Sequence, residues 1–402
     1  MRKGIFVFVV CGAREHIETL HFSLRALSTF SKNEVWVVTD SSRNEIPVIH
    51  HTVIDVPVPG HFNHHQASIY LKTSLYRLLP KGNLYCYLDT DIIALNEEVN
   101  EIFKYKTDVI NFAADHNRMH RFSPYAVNCG CLERNNYEWK QLDDILAKYD
   151  PAQPISDPIA LKKQRELKKK FEVIKQNRLR LLWMATQYLL PTRKLFIGGD
   201  VYYDKSEQTW FDNTGLAVLH DISHKSISQI ERNSNWKWSK LKRRWISPEG
   251  RDIHNLYCDH LRQAAEKKFD IKINKEQWQH WNGGVFLFDD DSHNFLHLWH
   301  LRTMKIFKDP YWKTRDQGTL IATAWQLGLQ NTPLLPKKFN FIADPSNPKL
   351  MIDEPGAFVT DDAFETKHAP AFMHVFNGFG EQGWEIWDWI VKKLEGKVLI
   401  EN

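Results

Sequence analysis

The chain has 402 residues, 25% of them charged and 43% apolar, with a formal net charge of +4. That balance belongs to an ordinary globular protein, long enough for two domains or for one large domain carrying an insertion, and it excludes wholesale disorder. The longest apolar stretches, such as residues 5–11, fall far short of a bilayer span, and Arg14, Glu15 and His16 follow that run too directly for a secretory signal. The chain therefore reads as cytosolic.

Residues 4–10 predict a first strand, and 17–30 a helix with apolar residues at helical spacing. A second strand over 34–39 ends in Thr39-Asp40. A loop rich in Pro, Gly and His (56–65) leads to a helix over 66–79, which Pro80 ends. The next strand, Leu84-Tyr85-Cys86-Tyr87-Leu88, stops on Asp89-Thr90-Asp91, after which apolar residues resume. Residues i and i+2 of an extended segment point the same way, so both carboxylates can address one hard divalent cation. Such a cation can in turn hold a diphosphate. A plain turn after the strand would more usually use Gly, Asn or Pro. Residues 109–114 form another strand, with Asp115 at its end. Strands alternating with helices predict an α/β fold with a parallel, doubly wound sheet, which binds ligands at the carboxyl ends of its strands.

From Asp150 the texture changes. Pro151, Pro154 and Pro158 mark a linker, a basic helical segment follows to about residue 190, and a mixed region runs to about 278. Residues 281–288 (WNGGVFLF) return to buried-strand character. The expected organisation is residues 1–148 as the first half of a ligand-binding domain, 149–278 as an inserted subdomain, and 279–402 as the remainder with a C-terminal helix.

Charge is unevenly spread. Residues 161–180 carry nine Lys/Arg against two Glu, and residues 236–251 carry six against one, leaving about −8 for the rest. A solvated helix face accounts for such stretches. The interleaved Trp and Lys of 236–245 also suit contact with an anionic membrane surface or a lipid-linked acceptor. Nucleic acid is not an expected partner, because no recognisable module accompanies the charge. Trp236, Trp238, Trp245 and Trp281 are candidates for stacking on sugar rings. His61, His64 and His65 form a polar loop that leads into a helix and could line the mouth of a site. The five cysteines are odd in number and scattered; Cys129 and Cys131 want a second ligand pair for zinc, so reduced thiols are expected.

Four patterns now stand in order: Leu88-Asp89-Thr90-Asp91, WNGGVFLF at 281–288, RDQGTLIATAW at 315–325 and MHVFNGFG at 373–380. Together they resemble the GT-A nucleotide-sugar glycosyltransferases, most closely the retaining family that contains glycogenin and bacterial lipopolysaccharide galactosyltransferases. The resemblance covers roughly residues 1–145 and 280–385. It implies a GT-A (Rossmann-like) mixed, mostly parallel sheet flanked by helices, here with a helical and mixed insertion.

The resemblance also implies roles. Asp89, Asp91 and His374 would hold Mn²⁺ (or Mg²⁺). Lys72 would lie near the donor, and Cys11, Gly12, Ala13 and Thr39 would border the nucleotide. Asp89 and Thr90 would approach the donor ribose, while Asn282, Gly283 and Gly284 would lie beside the donor sugar. Asp316 and Gln317 would stand at the reacting centre. Asn340 falls where such enzymes carry an Asn after Leu-Pro. The implied partners are a UDP-sugar donor and a glycan or lipid-linked acceptor.

One departure is clear. The family's late His-x-x-Gly-x-x-Lys-Pro-Trp is here His374 to Trp384 without the Lys or Pro. Backbone N–H groups around Gly378 and Gly380 are expected to hold the phosphates instead, with Lys72 or Arg315 as substitute cations. Residues 378–383 also fit GxGxxG, but too few residues follow for a dinucleotide fold. Ile93 stands where a haloacid dehalogenase phosphatase would want Thr. A sugar nucleotidyltransferase would need a Gly-rich basic loop after the first strand. A nucleotide-sugar-binding protein without transfer activity is the rival that the missing Lys favours.

Overall fold

The computed structural model describes residues 2–149 and then, apart from single residues and short runs in 161–176 and at 198–199, 221, 223, 240–243, 276, 348–349, 355 and 361–365, residues 159–398. The Pro151–Pro158 linker and part of the 161–180 basic stretch lie outside the described residues.

The chain divides into two compact units. The first comprises residues 1–130, 257–359 and 367–402; the second comprises 131–256 and 360–366. The first unit is α/β. Its elements in chain order begin with β1 (Gly4–Val9), α1 (Arg14–Phe30), β2 (Glu34–Thr39), β3 (Val53–Asp55), α2 (His64–Thr73), β4 (Leu84–Leu88), β5 (Ile92–Ala94), β6 (Asn111–Arg118) and α3 (Met119–Ala126). After the second unit come α4 (His260–Phe269), β7 (Gln279–Phe288), α5 (His293–Ile306), α6 (Arg315–Gln326), β8 (Phe341–Ala343), β9 (Phe372–Val375) and α7 (Glu385–Val398).

The central sheet has the order β3-β2-β1-β4-β7-β6. β3, β2, β1 and β4 are mutually parallel, and β7 runs antiparallel between β4 and β6. It is thus a mixed, mostly parallel sheet flanked by helices. β1 reads as an unbroken apolar run because both its faces are covered. Ile5, Val7 and Val9 join a core with Tyr85, Tyr87, Phe286 and Trp299, whereas Phe6 and Phe8 join another with Cys86, Leu88 and Leu287.

A second, small sheet has the order β8-β9-β5. β4 belongs to the large sheet and β5 to the small one, so Asp89-Thr90-Asp91 is the turn by which the chain passes from one to the other. Acidic residues interrupt the apolar run where the backbone leaves one sheet for the next.

The second unit holds the helices Cys131–Tyr149, Arg178–Leu189 and His224–Asn233, a four-stranded antiparallel meander over 194–220, and the hairpin Lys237–Ser239 with Arg244–Ile246. Its boundaries fall at 130/131 and 256/257, rather than at the linker prolines and Trp278. The helix Cys131–Tyr149 buries Leu142 with Ile230 and Trp236 of its own unit. α4 instead buries Leu261 and Ala265 in the main core.

Candidate active site

The central sheet presents its carboxyl edge to a cavity of about 880 Å³ within the first unit. Three strands bring the metal-ligating residue types together there. β7 runs antiparallel to β4 with Val285 opposite Leu88, and the Asp89 N–H donates to the Gly284 carbonyl at 2.8 Å. β9 pairs with β5 so that His374 faces Ile92, and the Val375 N–H donates to the Asp91 carbonyl at 3.0 Å. Asp89, Asp91 and His374 consequently place ligand atoms within 4.8 Å of one another.

Electrostatics follow from this crowding. His374 Nε2 lies 3.4 Å from Asp91 Oδ2, and its Nδ1 lies 3.1 Å from Asn340 Oδ1. An amide oxygen only accepts, so Asn340 holds the proton on Nδ1 and leaves Nε2 toward the carboxylates. Burial alone would lower the His374 pKa; Asp91, and behind it Asp89 and Asp115, reverse this and raise it. Burial would raise the Asp91 pKa, and His374 and Lys72 overcome that to hold it below the usual range.

Lys72, on the last turn of α2, is buried between two carboxylates, 3.3 Å from Asp89 and 3.2 Å from Asp316. Desolvation works against its ammonium, yet those two partners raise its pKa. Burial acts to raise the Asp316 pKa, and Lys72 pulls it down. Asp316 stands in the first turn of α6, where the positive end of the helix suits a carboxylate. The Tyr87 hydroxyl donates to Asp89. Tyr87 and Asp89 are two residues apart in an extended run, so their side chains point the same way, whereas Asp91 joins them not by strand alternation but through the turn closed by the Ile92 N–H to the Asp89 carbonyl at 3.1 Å.

Cys11, Lys72, Asp89, Thr90, Asp91 and Asp316 line the cavity, as do His64 and His65. Gly12 has φ +105°, and a Cβ there would fall 2.2 Å from the His64 ring, so the turn after β1 requires glycine. The Gly12 N–H donates to Asn44 Oδ1 at 3.0 Å, and the Asn44 amide donates to Thr39 Oγ1 at 2.8 Å. Thr39 is buried beneath the turn as its support, and Ala13 is the N-cap of α1.

Asn282 donates to Asp115 at 3.1 Å and accepts from the Gly284 N–H at 2.8 Å. A Cβ at Gly284 would lie 2.9 Å from Asp89 Oδ2 and 3.0 Å from the His374 ring, so only glycine leaves room for the cluster. Oriented to satisfy both ends of its amide, Gln317 accepts from Gly283 N–H at 2.9 Å and donates to the Trp281 carbonyl at 3.1 Å. It braces β7.

The late Gly-rich segment is arranged differently from the expectation. Val375, Phe376, Asn377 and Phe379 form the cavity wall. A Cβ at Gly378 would strike Pro345 and Trp384, both at 2.5 Å, so this glycine is wedged against them. Gly380 takes φ +79° in a turn whose Glu381 and Trp384 N–H groups bond within the segment, while the Gly383 N–H donates to Asp388 Oδ1 of α7 at 3.3 Å. Arg315 donates from Nε to the Phe307 carbonyl at 2.9 Å, and it is Lys72 that bonds the site's carboxylates Asp89 and Asp316. Of the candidate stacking residues, Trp281 is buried against Phe112, and Trp236 and Trp245 are buried in the second unit's own core. Trp238 packs there too. Their apolar rings went to core packing.

No family model matches the chain, and no curated protein matches its sequence. Solved structures do show similarity. The apo structure of the bifunctional glycosyltransferase WbbM has 7% identity over 98% of this chain, at a TM-score of 0.41; this chain spans 49% of it. The galactosyltransferase LgtC, in complex with donor and acceptor sugar analogues, has 9% identity, a TM-score of 0.38 and coverage of 98% of this chain and 95% of its own. Mouse xyloside xylosyltransferase 1 in apo form has 9% identity and a TM-score of 0.38, covering 94% and 99%.

Proposed function

We propose that this protein is a metal-dependent glycosyltransferase that moves a sugar from a nucleotide-diphosphate donor, UDP-linked, to a glycan or glycolipid acceptor with retention at the anomeric carbon. The observation that carries the reading is the meeting of Asp89, Asp91 and His374 beside Lys72 and Asp316, with Lys72, Asp89, Asp91 and Asp316 lining one cavity. Two carboxylates and an imidazole suit Mn²⁺, and Gly284 keeps their common space clear of a side chain. Bound there, such an ion supplies Lewis-acid stabilisation of the departing diphosphate.

The remaining work falls to the chain's own groups. Lys72 places a permanent positive charge beside Asp89, where it can attract a phosphate oxygen. The turn Cys11-Gly12-Ala13, supported by Thr39 through Asn44, borders the cavity at Cys11 and would meet the base and ribose there, with Thr90 nearby. Asp316 provides negative charge for the oxocarbenium-like transition state of a reacting sugar. Gln317 and Asn282 hold Gly283 and Gly284 so that the sugar subsite keeps its shape; Gln317 is therefore a positioning residue. The supply of Mn²⁺ and a panel of UDP-sugars tests the reading. Release of UDP is expected from one of them, stimulated by an acceptor and reduced at least about a hundredfold in Asp316→Asn. Tight Mn²⁺-dependent UDP binding without turnover of any sugar would instead identify a binding protein.

Membrane contact through the basic stretches 161–180 and 236–251 belongs to the same proposal, and the helix between them adds to it. Among the described residues no helix is long and apolar enough to cross a membrane. The helix Arg178–Leu189, however, leaves Leu179, Leu182, Trp183 and Leu189 exposed, with Arg180 exposed in the same helix and Arg193 and Lys194 exposed just after it. Exposed apolar side chains with cations nearby in the chain suit an anionic lipid surface, where a lipid-linked acceptor would be found.

A further inference from the structure

Three side chains outside the cavity converge where the first unit's chain is interrupted. Cys129 follows α3, and Cys258 and His260 stand at the start of α4. The Cys129 and Cys258 sulfurs are 3.5 Å apart, and Cys258 Sγ is 3.3 Å from His260 Nδ1. Their ligand atoms all lie within 4.8 Å of one another.

A tetrahedral ion with thiolates at ~2.3 Å and imidazole at ~2.0 Å sets S···S near ~3.8 Å and S···N near ~3.5 Å, close to both separations. A disulfide would require about 2.05 Å, and none of the five cysteines forms one. Ser123 supports a thiolate: its oxygen accepts the Leu261 N–H at 2.9 Å and lies 3.0 Å from Cys258 Sγ, which directs its hydroxyl proton to the sulfur. Cys131 follows Cys129 by two residues, as His260 follows Cys258, and its sulfur accepts from the Arg134 guanidinium at 3.4 Å. The second ligand pair absent from any local reading of Cys129 and Cys131 is thus Cys258-x-His260.

We propose that Cys129, Cys131, Cys258 and His260 bind one structural Zn²⁺. Three thiolates and one imidazole are a borderline-soft set that favours zinc over Mg²⁺ or Mn²⁺, and four protein ligands close the site to chemistry. Binding releases the thiol protons to solvent. The ion ties the chain where it leaves the first unit at Gly130 to where it returns at Tyr257. It is independent of the Asp89–Asp91–His374 cluster.

The test uses the full chain, expressed in zinc-replete medium and purified without chelator. Plasma mass spectrometry is expected to find one Zn²⁺ per chain, retained through EDTA dialysis that strips a carboxylate site and released by titrating the thiols with an organomercurial. His260→Cys should keep the metal on four thiolates, and Cys258→Ser should lose it with a lowered melting temperature. Wild-type stoichiometry is read first, so misfolding of Cys258→Ser does not decide the question. Zinc near zero, or a Cys129–Cys258 disulfide in protein handled without reductant, would overturn the proposal.

Discussion

Asn340 does not itself line the cavity, yet the orientation of His374 rests on it. Its Oδ1 lies 3.1 Å from His374 Nδ1, and its amide donates to the Ala114 carbonyl at 3.4 Å, so the acceptor faces the imidazole. Partners of this kind typically change metal affinity by about ten- to a hundredfold when removed. Asn340→Ala is therefore expected to weaken Mn²⁺ binding by about that factor while the melting temperature changes little. A Mn²⁺ titration that returned wild-type affinity would show that His374 needs no such support. At this scale the spacing marks Asp89 and Asp91 as a pair, and the family resemblance singles out Lys72, Asp316 and His374; the structure brings all five together, and their roles rest on the proposal above. What Gln317 does was not legible, because its bonds to the backbone of β7 depend on how α6 meets that strand.

Among elements, the helix Arg178–Leu189 shows why composition and exposure must be read together. The basic stretches at 161–180 and 236–251 stand out by charge, whereas a run of exposed apolar residues, Leu179, Leu182, Trp183, Leu189 and Leu190, lies at 179–190. The Trp-Lys hairpin buries Trp245 in its own unit's core while Lys237 and Arg244 stay exposed. Cations near an anionic surface contribute about 1 kcal/mol each, and inserted Leu and Trp add apolar burial. Sedimentation with vesicles of phosphatidylglycerol and phosphatidylcholine should carry the protein down, and pure phosphatidylcholine much less so. The double change Leu182→Ser, Trp183→Ser should abolish the difference. Equal recovery on both vesicle types would rule the helix out as a membrane contact.

For the molecule as a whole, two histidines link stability to pH. His280 is fully buried against Phe122 with neither ring nitrogen bonded, and His300 is buried with Thr73 at 2.8 Å. Burial lowers both pKa values to about 4. In the unfolded chain they would titrate near ~6.5. Between those values the unfolded chain binds protons that the folded chain refuses, so stability present above about pH 6.5 is lost as pH falls toward about 4, by about 3 kcal/mol per histidine. Urea midpoints measured from pH 7 to pH 4.5 should decline, and His280→Phe should flatten the slope; an unchanged slope would mean His280 ionises freely in the fold. The same large scale explains what the sequence concealed. Strands covered on both faces announce themselves as apolar runs, so β1, β2, β4 and β7 were readable. The boundary at Gly130 was not, because Cys131–Tyr149 differs from a helix of the first unit only in which core receives Leu142. Nor was the pairing of Cys129 with Cys258, which the chain reaches only after traversing the whole second unit.

The central claim is that Asp89, Asp91 and His374 hold a divalent ion that in turn holds a nucleotide diphosphate. Calorimetric titration of UDP into the wild type and Asp91→Asn, each with and without Mn²⁺, tests it most directly. Wild-type affinity that depends on Mn²⁺, and a loss of that dependence in Asp91→Asn, is the predicted result. Binding that is equally tight without the ion, or equally ion-dependent in the variant, would contradict the account.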